Sequence, residues 1–324
     1  MTEAADEPQL EQREVANFSR RFRFPYRGQL QSIQGPSPGG ARLKEKDKKM
    51  NGPARILALG VVLTGMALSL SGCQQLEARD QLNKGVDAYK SAHYEEAIGH
   101  FQRATQLDPT LSMAKTYLAT ALSQNIVPGE TSPENLKTAD QAVSIYQQVL
   151  AKNPNDVNSI KHIAGIYYNI NQFDKAKAWQ KKVLEIDPKD PEAAYTIGAI
   201  DWNQAHVDLL KLLQSAGLND DGKGNFKAPK KVMDQFKEKD GPLVEEGMRY
   251  LHQALDNRPT YDNAMAYLNL MYRTKADIDY GSADDVKSDL AQADQWVQKA
   301  LSTRKLNEEK AAKAPKGITV PPSQ

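Results

Sequence analysis

The side chains able to form bonds, hold metals or move protons are few and scattered. Cys73 is the only thiol among 324 residues, which excludes an internal disulfide and a thiolate metal cluster by count alone. Five histidines, His93, His100, His162, His206 and His252, are spread along the chain, and no HExxH segment puts two of them on one helix face as zinc ligands. The adjacent carboxylates Glu95/Glu96 and Asp284/Asp285 read as solvated helix starts, where negative charge meets the positive end of the helix dipole. No glycine-rich phosphate loop and no G-x-S-x-G elbow is present. The expectation is a protein that is not an enzyme, with no catalytic residue, no metal, no cofactor and no small-molecule substrate.

What remains is to ask where the one thiol sits. Ile56 to Leu70 reads ILALGVVLTGMALSL, fifteen residues without a charge, preceded by Lys48, Lys49 and Arg55 and followed by Ser71, Gly72 and Cys73. A helix needs about 20 apolar residues to cross a bilayer core, so this run suits the core of a secretory signal better than a permanent span. The segment LSGC at 70–73 resembles the bacterial lipobox. That resemblance implies a signal peptide over 50–72, a diacylglycerol lipid joined to the Cys73 sulfur, and a mature chain that starts at Cys73. It further implies a lipid-anchored protein of the bacterial cell envelope facing the periplasm, with Gln74 in place of Asp favouring the outer membrane. Two or more acyl chains give firm attachment where one exchanges. Residues 1–49, rich in Arg, Gly, Pro and Gln, read as a disordered leader or as translation assigned upstream of Met50; a cytoplasmic tail ahead of a signal anchor stays open as the alternative.

Beyond Cys73 the charge is nearly balanced, 31 Lys and Arg against 34 Asp and Glu in 73–324, and no basic run interleaved with aromatics argues for nucleic acid. The body instead repeats itself. Gly85, Tyr89, Tyr94, Ala97, Phe101, Ala104 and Pro109 place small residues where two helices would cross and large apolar ones beside them. Ala142, Tyr146, Val149 and Pro154 echo the second half of this set, and Ala164, Tyr167, Ala176, Val183 and Pro188 give another whole unit, with 34 residues from Pro154 to Pro188. Gly198 with Gly247, Leu251, Ala254 and Pro259, then Asp262, Leu268 and Tyr272 with Ala293, Val297 and Ala300, supply two more.

This pattern resembles the tetratricopeptide repeat, a helix–turn–helix unit of about 34 residues. The resemblance implies an all-α fold, an α-solenoid of about five stacked repeats over 81–302 (81–109, 112–154, 157–188, 191–259 and 262–302), behind a lipidated tether at 73–80 and ahead of a helical extension and disordered tail at 303–324. Insertions are expected between the paired helices near 123–140, 203–243 and 275–288. In the second of these HVDLLKLLQSAG predicts an additional short helix. The NDDGKGN stretch at 219–225 has the outline of a calcium loop, but Lys223 and Lys230 stand where oxygen donors are needed and no glutamate closes it, so a solvated turn is expected.

In such repeats the working surface is a groove lined by first helices, and the residues matching its inward positions are Tyr89, Lys161, Tyr168, Asn169, Tyr195, Trp202, Asn203 and Arg273. Aromatic rings offer large area at low entropic cost, and amide and cationic groups can satisfy the backbone or carboxylate of an extended peptide. The function implied is binding of a protein or peptide partner by a membrane-anchored scaffold or adaptor, with a dedicated assembly factor for an outer-membrane barrel or pilus secretin as the alternative.

Overall fold

The computed structural model describes residues 73–313. The leader, the apolar run with its signal segment, and the tail from 314 lie outside the described residues, as do the expectations made for them. Among the described residues there are ten helices and no strand. They are α1 (73–90), α2 (Tyr94–Leu107), α3 (Ser112–Asn125), α4 (Pro133–Lys152), α5 (Val157–Asn169), α6 (Phe173–Ile186), α7 (Pro191–Ser215), α8 (Lys230–Asn257), α9 (Asp262–Ile278) and α10 (Ala283–Lys313).

One turn is used four times, and it explains the repeat. Asp108, Asn153, Asp187 and Arg258 each stand before a proline, which has no N–H and disfavours helical geometry in the residue ahead of it. Each of the four returns its own N–H to the carbonyl four residues back, on Ala104, Val149, Val183 and Ala254 respectively, at 2.8–3.0 Å. Each then accepts from the residue three places on, Leu111, Asp156, Asp190 and Tyr261, at 3.0–3.1 Å. The chain therefore leaves each second helix and enters the next first helix along the same path. Helices α2 through α10 pack on their sequence neighbours throughout, and the first helices α3 with α5 and α7 with α9 also touch, giving an all-α solenoid of five hairpins.

Within a hairpin the turn varies. In the first and third it is tight: His93 N–H bonds to Ala88 O and Gln172 N–H to Tyr167 O, at 2.9 and 2.8 Å, around Ala92 and Asn171 at φ of 61° and 59°. Asn tolerates this left-handed conformation far better than Ala does. In the second hairpin residues 126–132 form a loop that the Asn135 side chain ties down. Its Oδ1 accepts from Val127 N–H at 2.8 Å, and its Nδ2 donates to Val127 O at 3.0 Å and Glu130 O at 2.7 Å.

The expected insertions are corrected by the structure. Most of 203–243 is no insert between short helices: residues 203–215 continue α7 and 230–243 belong to α8, so that these helices reach 25 and 28 residues against 13 and 14 in α5 and α6. The separate short helix expected there does not exist, because HVDLLKLLQ keeps the buried stripe of α7 running through Ala205, Leu209 and Leu213. Only 216–229 connects the pair. The extra residues near 123–140 and 275–288 likewise go mostly into helix, in α4 and α10. Residues 73–80, expected as a tether, form the first two turns of α1, with Ala78 fully buried.

The core of the first three hairpins is hydrocarbon: Ala97, Phe101, Ala104, Ala114, Ala119, Ala139, Ala142, Tyr146, Ile163 and Ile166 are buried together. At α7 and α8 the approach is closer. A Cβ on Gly198 would lie 2.9 Å from Gly247 O and 2.6 Å from Leu251 Cγ, so the two backbones meet where neither helix carries a side chain.

Candidate functional site

The first helices α1, α5, α7 and α9 carry the expected contact residues, and the starts of α5 and α7 are fixed by side-chain caps. Asp156 accepts from Ser159 N–H at 3.1 Å, and Asp190 accepts from Glu192 and Ala193 N–H at 3.0 and 2.8 Å, with Pro191 in the first turn, where its missing N–H costs nothing. Asp190 is also the partner of Lys161, which further approaches Glu192 at 4.0 Å. Lys161, expected to offer a cation to a ligand carboxylate, thus has its charge matched by α7. Sequence spacing did not reveal this, because the partner is the cap of the next repeat's first helix.

Four aromatic residues of α7 and the start of α9 form one connected cluster, with Tyr168 of α5 as its neighbour. Tyr195 lies against Tyr261 and Tyr267, with ring centroids 5.0 and 5.4 Å away, and Trp202 meets Tyr267 edge-on at 5.5 Å. Burial first, and then the neighbouring tyrosines, Tyr168 among them, push the Tyr195 and Tyr267 hydroxyls well above the ordinary tyrosine value. Tyr168 packs edge-on against Phe173 at 5.5 Å, and its own hydroxyl is raised by burial. Tyr195 is only 6% exposed and Tyr267 8%. They are the floor of the cluster, while Tyr168 and Trp202 remain half-buried with Asn169 and Asn203 next to them. Trp202 also stacks on His206, one turn further on, at 4.9 Å and 13°. Tyr261, Tyr267 and His206 were not singled out from sequence; the spacing of His206 four residues after Trp202 was the available signal.

The other expected contact residues stand apart from this cluster. Tyr89 packs on Tyr94 at 5.4 Å, at the tight turn of the first hairpin. Arg273 is engaged within the chain: its guanidinium donates to Asn269 Oδ1 at 3.1 Å, Gly222 O at 3.4 Å and Asp294 Oδ1 at 2.9 Å. The Gly222 contact belongs to the 219–225 stretch, where the expected solvated turn is corrected. Asn225 is buried, its Nδ2 donates to Asp220 Oδ1 at 2.9 Å and Asp277 Oδ1 at 2.7 Å, and Asp277 is itself buried, with its carboxyl raised well above the usual range by burial and by Asp220. The loop is pinned to α9 by its asparagine.

Behind the cluster, between α6, α7 and α8, lies a charged network. Lys177 donates to Asp201 Oδ1 at 2.6 Å and to Glu246 Oε2 at 3.1 Å, and Lys181 donates to Glu246 Oε1 at 2.8 Å. Burial alone would depress the Lys177 ammonium, but the two carboxylates outweigh it and hold it above its ordinary value. Asp201 is fully buried, and burial, with the Glu246 charge, pushes it up to about 6 against the pull of Lys177.

Two further histidines pack on rings, with His162 stacked on Tyr146 at 4.8 Å and its pKa lowered by burial, and His252 edge-on to Trp296 at 5.8 Å, while His100 hydrogen-bonds Gln81 and His93 is exposed. Among the described residues no three His, Cys, Asp or Glu side chains converge as a metal site. Cys73 is a free, exposed thiol at the start of α1, and no described helix is long and apolar enough to cross a membrane. A separate open cavity of about 710 Å³ lies between α2, α3 and α4, with an apolar floor of Leu118, Leu122, Leu136 and Ile145 and a polar rim including Lys137 and Asp140.

Several known proteins are similar to parts of this chain. The human antiviral innate immune response effector IFIT1 is 34% identical over 117 residues, which is 33% of this chain and 23% of IFIT1. Among solved structures, MamA (41-end) from Desulfovibrio magneticus RS-1 is 16% identical with a TM-score of 0.46, over 71% of this chain and 96% of that one. YrrB, described as a TPR protein with an unusual peptide-binding site, is 12% identical with a TM-score of 0.41, over 69% and 90%. Residues 136–200 match the family model of the tetratricopeptide repeat, so the stretch from α4 into α7 is repeat of that family, and it holds Lys161, Tyr168, Asn169 and Tyr195, half of the expected contact set.

Proposed function

We propose that this protein binds an extended segment of a partner protein along the face of its first helices, centred on Tyr168, Asn169, Trp202 and Asn203. It acts as a scaffold or adaptor held at a bacterial envelope membrane by lipid on Cys73. The observation that carries the reading is the pairing of equivalent positions: an aromatic residue followed by asparagine at the same place in consecutive first helices, half-buried over a floor of Tyr195 and Tyr267. Rigid rings supply contact area, and the amides can pair with the backbone of an extended chain, which a helical surface otherwise leaves unsatisfied. Lys161 and Arg273 are bound within the chain, so the segment is held by stacking and amide bonds and not by a carboxylate clamp. The exposed thiol at the head of α1 is accessible to the modification that the LSGC segment implies.

Photocrosslinking tests the surface. A benzophenone side chain at Asn203 captures a partner that the same group at exposed Glu185 on α6 does not, and Tyr168→Ala with Trp202→Ala reduces capture at least tenfold with helicity unchanged. Equal capture from both positions overturns the assignment. Labelled palmitate that appears on the wild type and is lost in Cys73→Ser tests the anchor; no label on the wild type overturns it.

A further inference from the structure

The buried stripe of α8 is Met233, Phe236, Asp240, Val244, Gly247, Leu251 and Ala254, residues three or four apart on one helix face. Every member but one is apolar or glycine. Asp240 occupies a place where the pattern calls for a hydrocarbon side chain, it is 0% exposed, and neither of its carboxylate oxygens has a hydrogen-bond partner. The seam it lies in joins the two long helices whose distal parts, 203–215 and 230–243, extend beyond the ordinary hairpin length. Asp240 is followed at once by Gly241 and by Pro242, which stands inside the helix. A proline there removes one hydrogen bond of the helix ladder and the glycine adds freedom, so the backbone beside Asp240 is the point at which α8 bends most readily.

The surroundings give an ionised Asp240 little relief: the Lys239 charge favours it, but burial and the Asp208 charge outweigh that. On α7 the nearby charge is Asp208, also negative, which is taken up by Lys239 at 2.5 Å and Lys211 at 3.5 Å. On α9, which also packs against α8, Asp279 is held by Lys275 at 2.6 Å and approached by Lys237 at 3.8 Å, and Asp277 is bonded to Asn225. On α8 itself Lys239 is turned to Asp208. Further along the same seam Asp201 has Lys177, so the two buried carboxyls are unlike: one is charge-paired, the other has no hydrogen-bond partner. An unpaired carboxylate in a dry seam costs several kcal/mol, and the group escapes that cost by keeping its proton.

We propose that the distal half of the α7–α8 hairpin is a proton-tightened arm: with a proton on Asp240 the seam is held closed most firmly, and loss of that proton loosens 203–215 from 230–243, so that the arm opens more often. Burial, with the Asp208 charge, raises the Asp240 carboxyl to about 6. Its ordinary value is 3.8, and the opened arm titrates there. The proton's contribution to the closed arm is therefore complete below about 3.8, falls as pH rises, and is gone above about 6, leaving the apolar stripe and the Asp208–Lys239 pair to hold what remains.

Amide hydrogen exchange of the whole chain at about pH 5 and about pH 7.5, corrected for chemical exchange rates, reads the arm directly. Protection in 203–215 and 230–243 falls on the order of tenfold over this range, while α5 and α6 keep theirs. In Asp240→Asn the difference between the two pH values disappears, and Asp240→Leu, which restores the apolar stripe, gives the same result should the amide variant fold poorly. Asp201→Asn retains the response. Protection in the wild-type arm that is equal at both pH values overturns the proposal, as does an undiminished pH response in the two Asp240 variants.

Discussion

The first three hairpins and the last two are built on one plan from different materials. In the first three, the seams are closed by alanine, isoleucine and the rings of Phe101 and Tyr146. In α7 to α10 three of the four helices run to 25, 28 and 31 residues, and Asp201, Asp240, Asp277 and Asp289 are buried among the apolar residues, with every one of the four carboxyls raised by burial. Hydrocarbon seams are indifferent to protons, whereas seams containing carboxyls are stable only where each carboxyl has a cation, a donor or a proton. The lesson is that lengthening a helical hairpin adds burial, and that this chain filled part of that burial with groups whose state depends on the medium.

The comparison can be broken at its strongest point first. Phe101 is fully buried, and its ring occupies the space that a side chain on buried Gly85 would need, a Cβ there lying 2.5 Å from Cε1. Phe101→Ala should cost about 3–5 kcal/mol in a denaturant titration, equally at pH 5 and pH 7.5. Lys177→Met should act in the other half and depend on pH. It leaves Asp201 without the cation that pulls its carboxyl down, so that carboxyl titrates above its wild-type value of about 6. The loss, about 3 kcal/mol where Asp201 is ionised, shrinks as pH falls and Asp201 takes up a proton; urea unfolding at the two pH values distinguishes the two substitutions. Asn135→Ala removes three hydrogen bonds that hold 126–132, and should cost about 2 kcal/mol and raise exchange in that loop alone. The smallest effect should be a gain: Gly99 is exposed in α2 with open space around its missing side chain, so Gly99→Ala should raise stability by up to about 1 kcal/mol, seen as a small rise in Tm.

What could be read from the chain itself was the periodic part. Alanine and glycine alternating with rings, and prolines 34 residues apart, report helix crossings and turns through local sterics, and the structure has both where those residues stand. The insertions were misjudged because an amphipathic stripe continued past the usual turn position looks, in sequence, like a new element. Within the site, Tyr168 and Trp202 were legible from position, but Tyr195 and Tyr267 become a floor only once α7 lies beside α9, and Lys161 meets its carboxylate only when the next repeat is capped by Asp190. Asp240 was not singled out from the sequence, where its stretch read as an insert; that its neighbour on α7 is another acid is a fact of three dimensions.

The start of α1 sets a mechanical condition on whatever is joined to Cys73. Helix is continuous from that residue, and Ala78, the first residue wholly enclosed, is five positions on, about 7.5 Å along the axis. There is no leash. An acyl group on that sulfur would hold the solenoid at a fixed standoff and attitude to the surface, so that partners would have to come to it, and the choice of which of them can reach its face would be made by the membrane as much as by the groove.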